Sequence, residues 1–275
     1  MATARWMMAG SLRVALCQLS TTPDPASNLE LVRHGAAEAA AAGAQVVVFP
    51  EATMACFGIP LRPLAEGLEG PWATEVRRIA AQYELLVVAG MFTPAPNDRV
   101  TNTLLVTGRG VDTYYDKIHL YDAFGFQESA TVASGDRLVS VEVEGMRLGF
   151  ATCYDLRFPA LFTRLAAEGA EAVVVPASWG AGPGKLRQWE LLVRARALDS
   201  TSWVLACGQA LPDGADVEQA GGRAPTGVGH SMVVDPLGTV RVAAGSAPEV
   251  VLAGIDSARV AAARDSVPVL ANQRL

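Results

Sequence analysis

Gly43-Ala-Gln-Val-Val-Val-Phe-Pro50 returns later in the chain as Gly169-Ala-Glu-Ala-Val-Val-Val-Pro176. Each copy opens on a glycine suited to closing a helix and runs into an unbroken apolar stretch, the look of a strand covered on both faces. The proline that ends each copy brings no N–H to a ladder and stops the strand. The likeness extends outward. Residues 72–90 match 189–208, a tryptophan-led helical pattern feeding a buried strand, and residues 102–117 lie on 230–245, setting the turn at Gly110 against that at Gly238. The chain therefore reads as a duplicated α/β unit. Two such halves, each a sheet with helices on one face, hide their bare faces by stacking sheet on sheet. The expected fold is α/β, a four-layer αββα sandwich with pseudo-twofold internal duplication.

Hydrophobic periodicity fills in the rest. Strands are expected at 12–19, 45–49, 85–92, 147–152, 172–175, 203–208, 230–235, 240–243 and 250–255, and a hairpin at 102–107 and 111–115 across Gly108-Arg109-Gly110. Helices are expected at 29–42, capped by Asn28 and closed by Gly43, and at 72–83 and 186–199, with another opened by Phe158-Pro159. Residues 121–135 read as a structured loop, 176–184 as a loop, 211–228 as a glycine-rich excursion and 260–275 as a tail of little periodicity.

With 51% hydrophobic and only 18% charged residues in 275, the chain buries a substantial core and disorder is excluded. A net charge of −6 with scattered arginines leaves no basic face for a nucleic-acid backbone. The apolar stretch 6–10 is too short for a signal peptide, Arg13 follows it, and no run reaches the roughly 18 apolar residues of a membrane span. A cytoplasmic protein without membrane or nucleic-acid partners is expected. Cys17, Cys56, Cys153 and Cys207 form no CxxC pair and no metal-ligand spacing with His34, His119 or His230, so free thiols and no bound metal are expected. His230 reads as a satisfied buried histidine, and Arg194 and Arg196 as structural ion-pair formers. Arginine supplies nearly all the positive charge. Lys117 and Lys185 are the only lysines, and a lysine within an apolar segment suggests a site that needs a compact ammonium.

The duplication also shows which polar residues the framework does not need. Against Glu51 the second copy has Ala177, and against Lys117 it has Gly245. Cys153 lies in Arg147-Leu-Gly-Phe-Ala-Thr-Cys-Tyr-Asp-Leu-Arg-Phe-Pro159, on the turn between a buried strand and a helix. A thiol there is expected to be partly exposed, near backbone N–H groups that favour a thiolate and later an oxyanion. The structural alternatives are a small buried hydrophobe for Cys153 and a strand-edge residue for Lys117.

With Glu51 after Val-Val-Val-Phe-Pro, Lys117 in Tyr-Tyr-Asp-Lys-Ile-His-Leu and Cys153 in Ala-Thr-Cys-Tyr-Asp-Leu-Arg-Phe-Pro, in that order, the chain resembles the nitrilase superfamily of carbon–nitrogen hydrolases. The resemblance runs through Trp189-Glu-Leu-Leu-Val-Arg-Ala-Arg-Ala and Gly229-His-Ser-Met-Val-Val-Asp-Pro, segments that look most like the Nit branch with its ω-amidases and deaminated glutathione amidases. Cys-Tyr-Asp-Leu-Arg departs from the Cys-Trp-Glu of true nitrilases, which favours amides over nitriles. The resemblance implies one domain over 1–275, with a core at about 11–257 and a tail 258–275 at a homodimer interface shared with 158–167. It implies a Glu51-Lys117-Cys153 triad that needs no metal or organic cofactor. In it Glu128 is a second glutamate positioning Lys117, and the backbone N–H of Tyr154 is an oxyanion donor. Arg157 is either a partner for a substrate carboxylate or an arginine bonded within the fold; Trp179 is either a pocket wall or a core aromatic.

The function expected is hydrolysis of a small, carboxylate-bearing aliphatic amide to the acid and ammonia through a cysteine thioester. N-carbamoyl hydrolysis and acyl transfer to an amine are the alternatives within the superfamily. A metal-dependent phosphoesterase shares the sandwich by fold analogy alone, and its site requires histidines with converging carboxylates that this sequence does not space together. A non-enzymatic descendant would be expected to have lost at least one of the three residues.

Overall fold

The computed structural model describes residues 10–123, 125–212, 215 and 224–274. Residues 6–9 of the apolar N-terminal stretch and most of the excursion 211–228 lie outside the described residues.

The first half runs β1 (Ser11–Gln18), α1 (Pro25–Ala41), β2 (Val46–Val48), α2 (Pro71–Tyr83), β3 (Leu86–Ala95), β4 (Arg99–Gly108) and β5 (Val111–Asp116). A small hairpin, β6 (Asp122–Ala123) with β7 (Phe126–Gln127), and the short β8 (Val132–Ala133) follow. The second half runs β9 (Ser140–Val143), β10 (Met146–Phe150), α3 (Pro159–Ala167), β11 (Ala172–Ala177), α4 (Lys185–Ser200), β12 (Trp203–Gly208), β13 (Met232–Val234) and β14 (Val240–Ala243). The chain closes with β15 (Glu249–Asp256), α5 (Ser257–Ser266) and α6 (Val269–Asn272).

The strand order β15-β1-β2-β3-β4-β5 in one sheet repeats as β9-β10-β11-β12-β13-β14 in the other, with β8 joined to β4. In both sheets the three central strands are parallel and the flanking ones antiparallel. Alternation along the strands sorts the core into layers. Val14, Leu16, Val46, Val48, Leu86 and Val88 meet Leu148, Phe150, Val174, Leu205 and Val233 between the sheets. The opposite faces of the same strands, Ala15, Val47 and Val87, take Val32 and Ala36 of α1 and Trp72 and Val76 of α2. Val173 and Val175 take Phe162 of α3 and Trp189 of α4 in the same way. These are the four layers of an αββα sandwich.

Some local expectations are corrected. Asp24, not Asn28, caps α1: its carboxylate accepts from Ala26 N and Ser27 N, and Pro25 opens the first turn. Asn28 is buried instead, donating through Nδ2 to the carbonyls of Thr22 and Met54. Most of the tail is helical because Val260 and Ala263 have apolar surface to cover, and Arg264 ties it to the carbonyl of Ala170 at 2.7 Å. His230 is half-buried rather than buried; it stands at positive φ (54°), and its carbonyl accepts from Trp189 Nε1 at 2.8 Å. Arg196 pairs with Asp199 at 3.3 Å, whereas Arg194 donates to the carbonyl of Gly238.

Candidate active site

Three chain segments leaving strand ends bring their side chains together. The turn after β2 carries Glu51, the segment leaving β5 carries Lys117, and the turn after β10 carries Cys153. A fourth residue, Glu128, arrives on the one-turn helix Glu128–Ala130 beyond the β6–β7 hairpin. All are buried: Glu51 is 1% exposed, Lys117 2%, Glu128 4% and Cys153 9%. They line one cavity of about 460 Å³ together with Tyr121, Tyr154, Arg157, Ser178, Trp179 and Lys185.

Each placement has a local cause. The Glu51 turn folds back over β3, and this is possible only because position 90 is glycine: a Cβ there would sit 1.5 Å from the Glu51 carbonyl oxygen. Cys153 takes positive φ (45°), a backbone conformation costing about 1 kcal/mol or more for a side-chain-bearing residue, at the head of a one-turn helix, Cys153–Arg157. Asp155 holds that turn. Its carboxylate accepts from Thr152 N at 2.8 Å, Tyr115 Oη at 2.7 Å and His119 N at 2.9 Å, and meets His119 Nδ1 at 2.7 Å. Tyr115 and His119 flank Lys117 in sequence, so one buried carboxylate ties the lysine's segment to the cysteine's.

The electrostatics follow from the same packing. Lys117 Nζ donates to Glu51 Oε1 at 2.9 Å and to Glu128 Oε2 and Oε1 at 2.9 and 3.1 Å. Glu51 also accepts from Asn102 Nδ2 at 2.8 Å and, through Oε2, from Ser178 N at 2.8 Å. Burial works against the charge on Lys117, but Glu51 and Glu128 overcome it and hold the ammonium well above the usual lysine range. Burial pushes the Cys153 thiol well above the usual cysteine range; the negative charge of Glu51 pushes the same way, and Lys117 only partly opposes them. The resting sulfur is a protonated thiol beside a carboxylate. It is also less exposed than its place on a turn suggested, since the cavity is its opening to solvent.

The structure thus brings Glu51, Lys117, Glu128 and Cys153 together and sets Arg157 and Trp179 on the same cavity wall. Arg157 borders the cavity and is bonded within the fold, its Nη2 donating to Gln188 Oε1 at 2.7 Å. Trp179 is 4% exposed, lines the cavity and donates through Nε1 to the Lys185 carbonyl at 2.9 Å. Sequence reasoning missed Asn102, Asp155, His119 and the Ser178 N–H. Asn102 had a readable signal, a lone amide in an apolar strand; the Asp155 contacts join residues up to 40 apart and had none.

The chain belongs to the carbon–nitrogen hydrolase family, whose model matches residues 13–265. It is 57% identical over 267 residues to a hydrolase of Mycobacterium tuberculosis strain H37Rv, the match covering 95% of each protein. Over 267 residues it is 34% identical to the deaminated glutathione amidase of Escherichia coli O157:H7, covering 95% of this chain and 97% of that one. Among solved structures it matches Saccharomyces cerevisiae Nit3, a member of branch 10 of the nitrilase superfamily, with a TM-score of 0.82 and 26% identity, covering 97% of this chain and 98% of that one. It falls in the Nit-like branch of that superfamily, and the phosphoesterase alternative gives way to this family membership. No helix among the described residues is long and apolar enough to cross a membrane.

Proposed function

We propose that the protein is an amidase that hydrolyses a small, carboxylate-bearing aliphatic amide to the acid and ammonia through a thioester on Cys153. The observation that carries this reading is a buried thiol on the same cavity as Glu51, which is bonded to Lys117 at 2.9 Å. A thiol held above its usual range is a weak nucleophile unless a base takes its proton during attack, and Glu51 is within reach to do so. As the sulfur–carbon bond forms, the amide oxygen gains negative charge, met by the Lys117 ammonium and the Tyr154 N–H; one such donor is typically worth roughly 3 kcal/mol. Glu51 returns the proton to the amide nitrogen, the carbon–nitrogen bond breaks and ammonia leaves. Water, deprotonated by the same carboxylate, then attacks the thioester carbonyl. The carbon–sulfur bond breaks, the acid departs and the proton returns to sulfur. Glu128, bonded to Lys117 and held by the Tyr121 N–H at 2.5 Å, orients the ammonium.

The test is ammonia release from a panel of small neutral and carboxylate-bearing amides. Cys153→Ala and Glu51→Gln are each expected to lower turnover about a thousandfold or more while the proteins stay folded by circular dichroism. Turnover near the wild-type rate in either variant would remove the mechanism.

A further inference from the structure

Asn102 touches three parts of the site at once. Its backbone carbonyl accepts from Lys117 N at 2.9 Å, and its Nδ2 donates to Glu51 Oε1 at 2.8 Å and, more distantly, to Glu128 Oε1 at 3.5 Å. It is wholly buried in β4, in step with Leu104 and Val106, which fill the core between the sheets two and four residues on. Its Oδ1 has no hydrogen-bond partner among the described residues, a cost to stability that an apolar side chain would not carry. What the amide contributes therefore lies with its nitrogen. The acceptor sites of the two carboxylates, two on each oxygen, are almost all taken. Glu128 Oε1 accepts from Lys117 and Asn102, and its Oε2 from Lys117 and Tyr121 N, which leaves no site open. Glu51 Oε1 is filled by Lys117 and Asn102, whereas Oε2 accepts only from Ser178 N among the described residues. The open site is on Glu51 Oε2, held by a residue of the cavity wall.

We propose that Asn102 is a positioning residue for catalysis: by filling Oε1 with a donor that does not titrate, it keeps Glu51 ionised and confines proton exchange to Oε2. The catalytic side of this inference rests on the amidase reading; the donor role of the amide does not. Oε2 then takes the proton from sulfur, passes it to the amide nitrogen, takes another from water and returns that one to sulfur. Asn102→Asp tests this, because a protonated carboxyl keeps an O–H donor in nearly the same place and an ionised one loses it. The new carboxyl faces Glu51, Glu128 and Lys117, with Cys153 on the same cavity, and two carboxylates against one ammonium raise its pKa above the ordinary value of about 3.9. Relative to wild type at the same pH, kcat/KM for succinamate is expected to be within about threefold at pH 5 and about a hundredfold lower at pH 8. Asn102→Leu, with no donor at any pH, is expected to lower kcat about tenfold at both values, with KM within about twofold. A second measurement uses no substrate. The stability of Asn102→Asp is full below the unfolded pKa of about 3.9 and lost as pH rises through the raised folded one, so its urea midpoint is expected to fall behind wild type between pH 5 and 8. The fall is expected to be smaller in the Glu51→Gln background, where the carboxylate it faces is gone. A rate ratio constant from pH 5 to 8, wild-type kcat in Asn102→Leu, or a midpoint loss equal in both backgrounds overturns the proposal. No ammonia release by the wild type, together with a midpoint loss that depends on Glu51, overturns the amidase reading and leaves the donor role standing.

Discussion

The two halves share a strand order, yet the strand ends that build the cavity in one place are sealed in the other. Ladder register makes the comparison residue by residue. Val46 and Ala172 occupy equivalent positions and pair with Val14 and Leu148, so five residues on, Leu19 stands where Cys153 does and Ala177 where Glu51 does. In the hairpins Thr113 corresponds to Val242, so Lys117 falls on Ser246; a bulge at Val233/Val234 shifts this by one residue from the sequence match with Gly245. The segment leaving β12 runs into this second position. Gln209 N donates to the Ala177 carbonyl at 2.8 Å, Ala210 N to that of Leu19 at 2.7 Å and Leu211 N to that of Ser246 at 2.9 Å. Backbone amides thus engage all three equivalents, and Gln18 completes the seal by accepting from Ser231 N and Oγ. In the first half β3 runs on past the equivalent point and pairs with β4 as far as Ala95, leaving the cavity open. What separates a site from a plug is the route of one strand's continuation, with three side chains changed to match.

Several substitutions break or sharpen this contrast. Removing a charge at the open position is expected to abolish chemistry, as set out for Glu51→Gln. Adding one at the sealed position is expected to damage the fold: Ala177→Glu puts a carboxylate where backbone amides already occupy the space, lowering stability by about 3 kcal/mol or more, read from a urea midpoint. Gly90→Ala drives a methyl group into the Glu51 carbonyl and is expected to cost about 3 kcal/mol while displacing Glu51. Asp155→Asn keeps the shape but removes the charge that several donors share. A loss of about 2 kcal/mol is expected, with kcat falling more than KM rises, because the lysine and cysteine segments lose their common anchor. Alkaline pH gives a smaller effect. Cys153 is held above its ordinary value of 9.0 and Lys117 above 10.5, so stability from both is full below those values and is lost as pH rises through the raised ones. The urea midpoint is expected to fall between about pH 9 and 11, and less steeply in Cys153→Ala. Gly254→Ala is the control: nothing lies within 4 Å of the added carbon, and a change within about 0.5 kcal/mol is expected.

The layered fold was legible because the duplication let one half check the other. The strands it missed share a cause. β3 continues through Pro94 to Ala95 and turns into β4 at Asn97 and Asp98, both at positive φ (58° and 64°); the proline hid the strand and the Asn-Asp turn was passed over. β9 was missed in the same way, joined to β10 by Glu144 and Gly145 at φ 50° and 77°. The ladder also sets Gly90 against Cys207, one residue from the match with Gly208, because the segments from Trp72 to β3 and from Trp189 to β12 are equally long. Within the site, Glu51, Lys117 and Cys153 were readable as polar residues on an apolar frame. Asp155 was hidden because its partners come from another strand's continuation, and Lys185 because its neighbours in sequence say nothing about the cavity it borders.

The central claim is that the sulfur of Cys153 carries the acyl group. Intact-protein mass spectrometry of enzyme acid-quenched during turnover of succinamate, followed by peptide mapping, reads this directly. The account predicts a mass increase equal to the acyl group, confined to the peptide containing Cys153 and absent from Cys153→Ala. Steady ammonia release with no adduct on that peptide, or with the adduct on another residue, would contradict it.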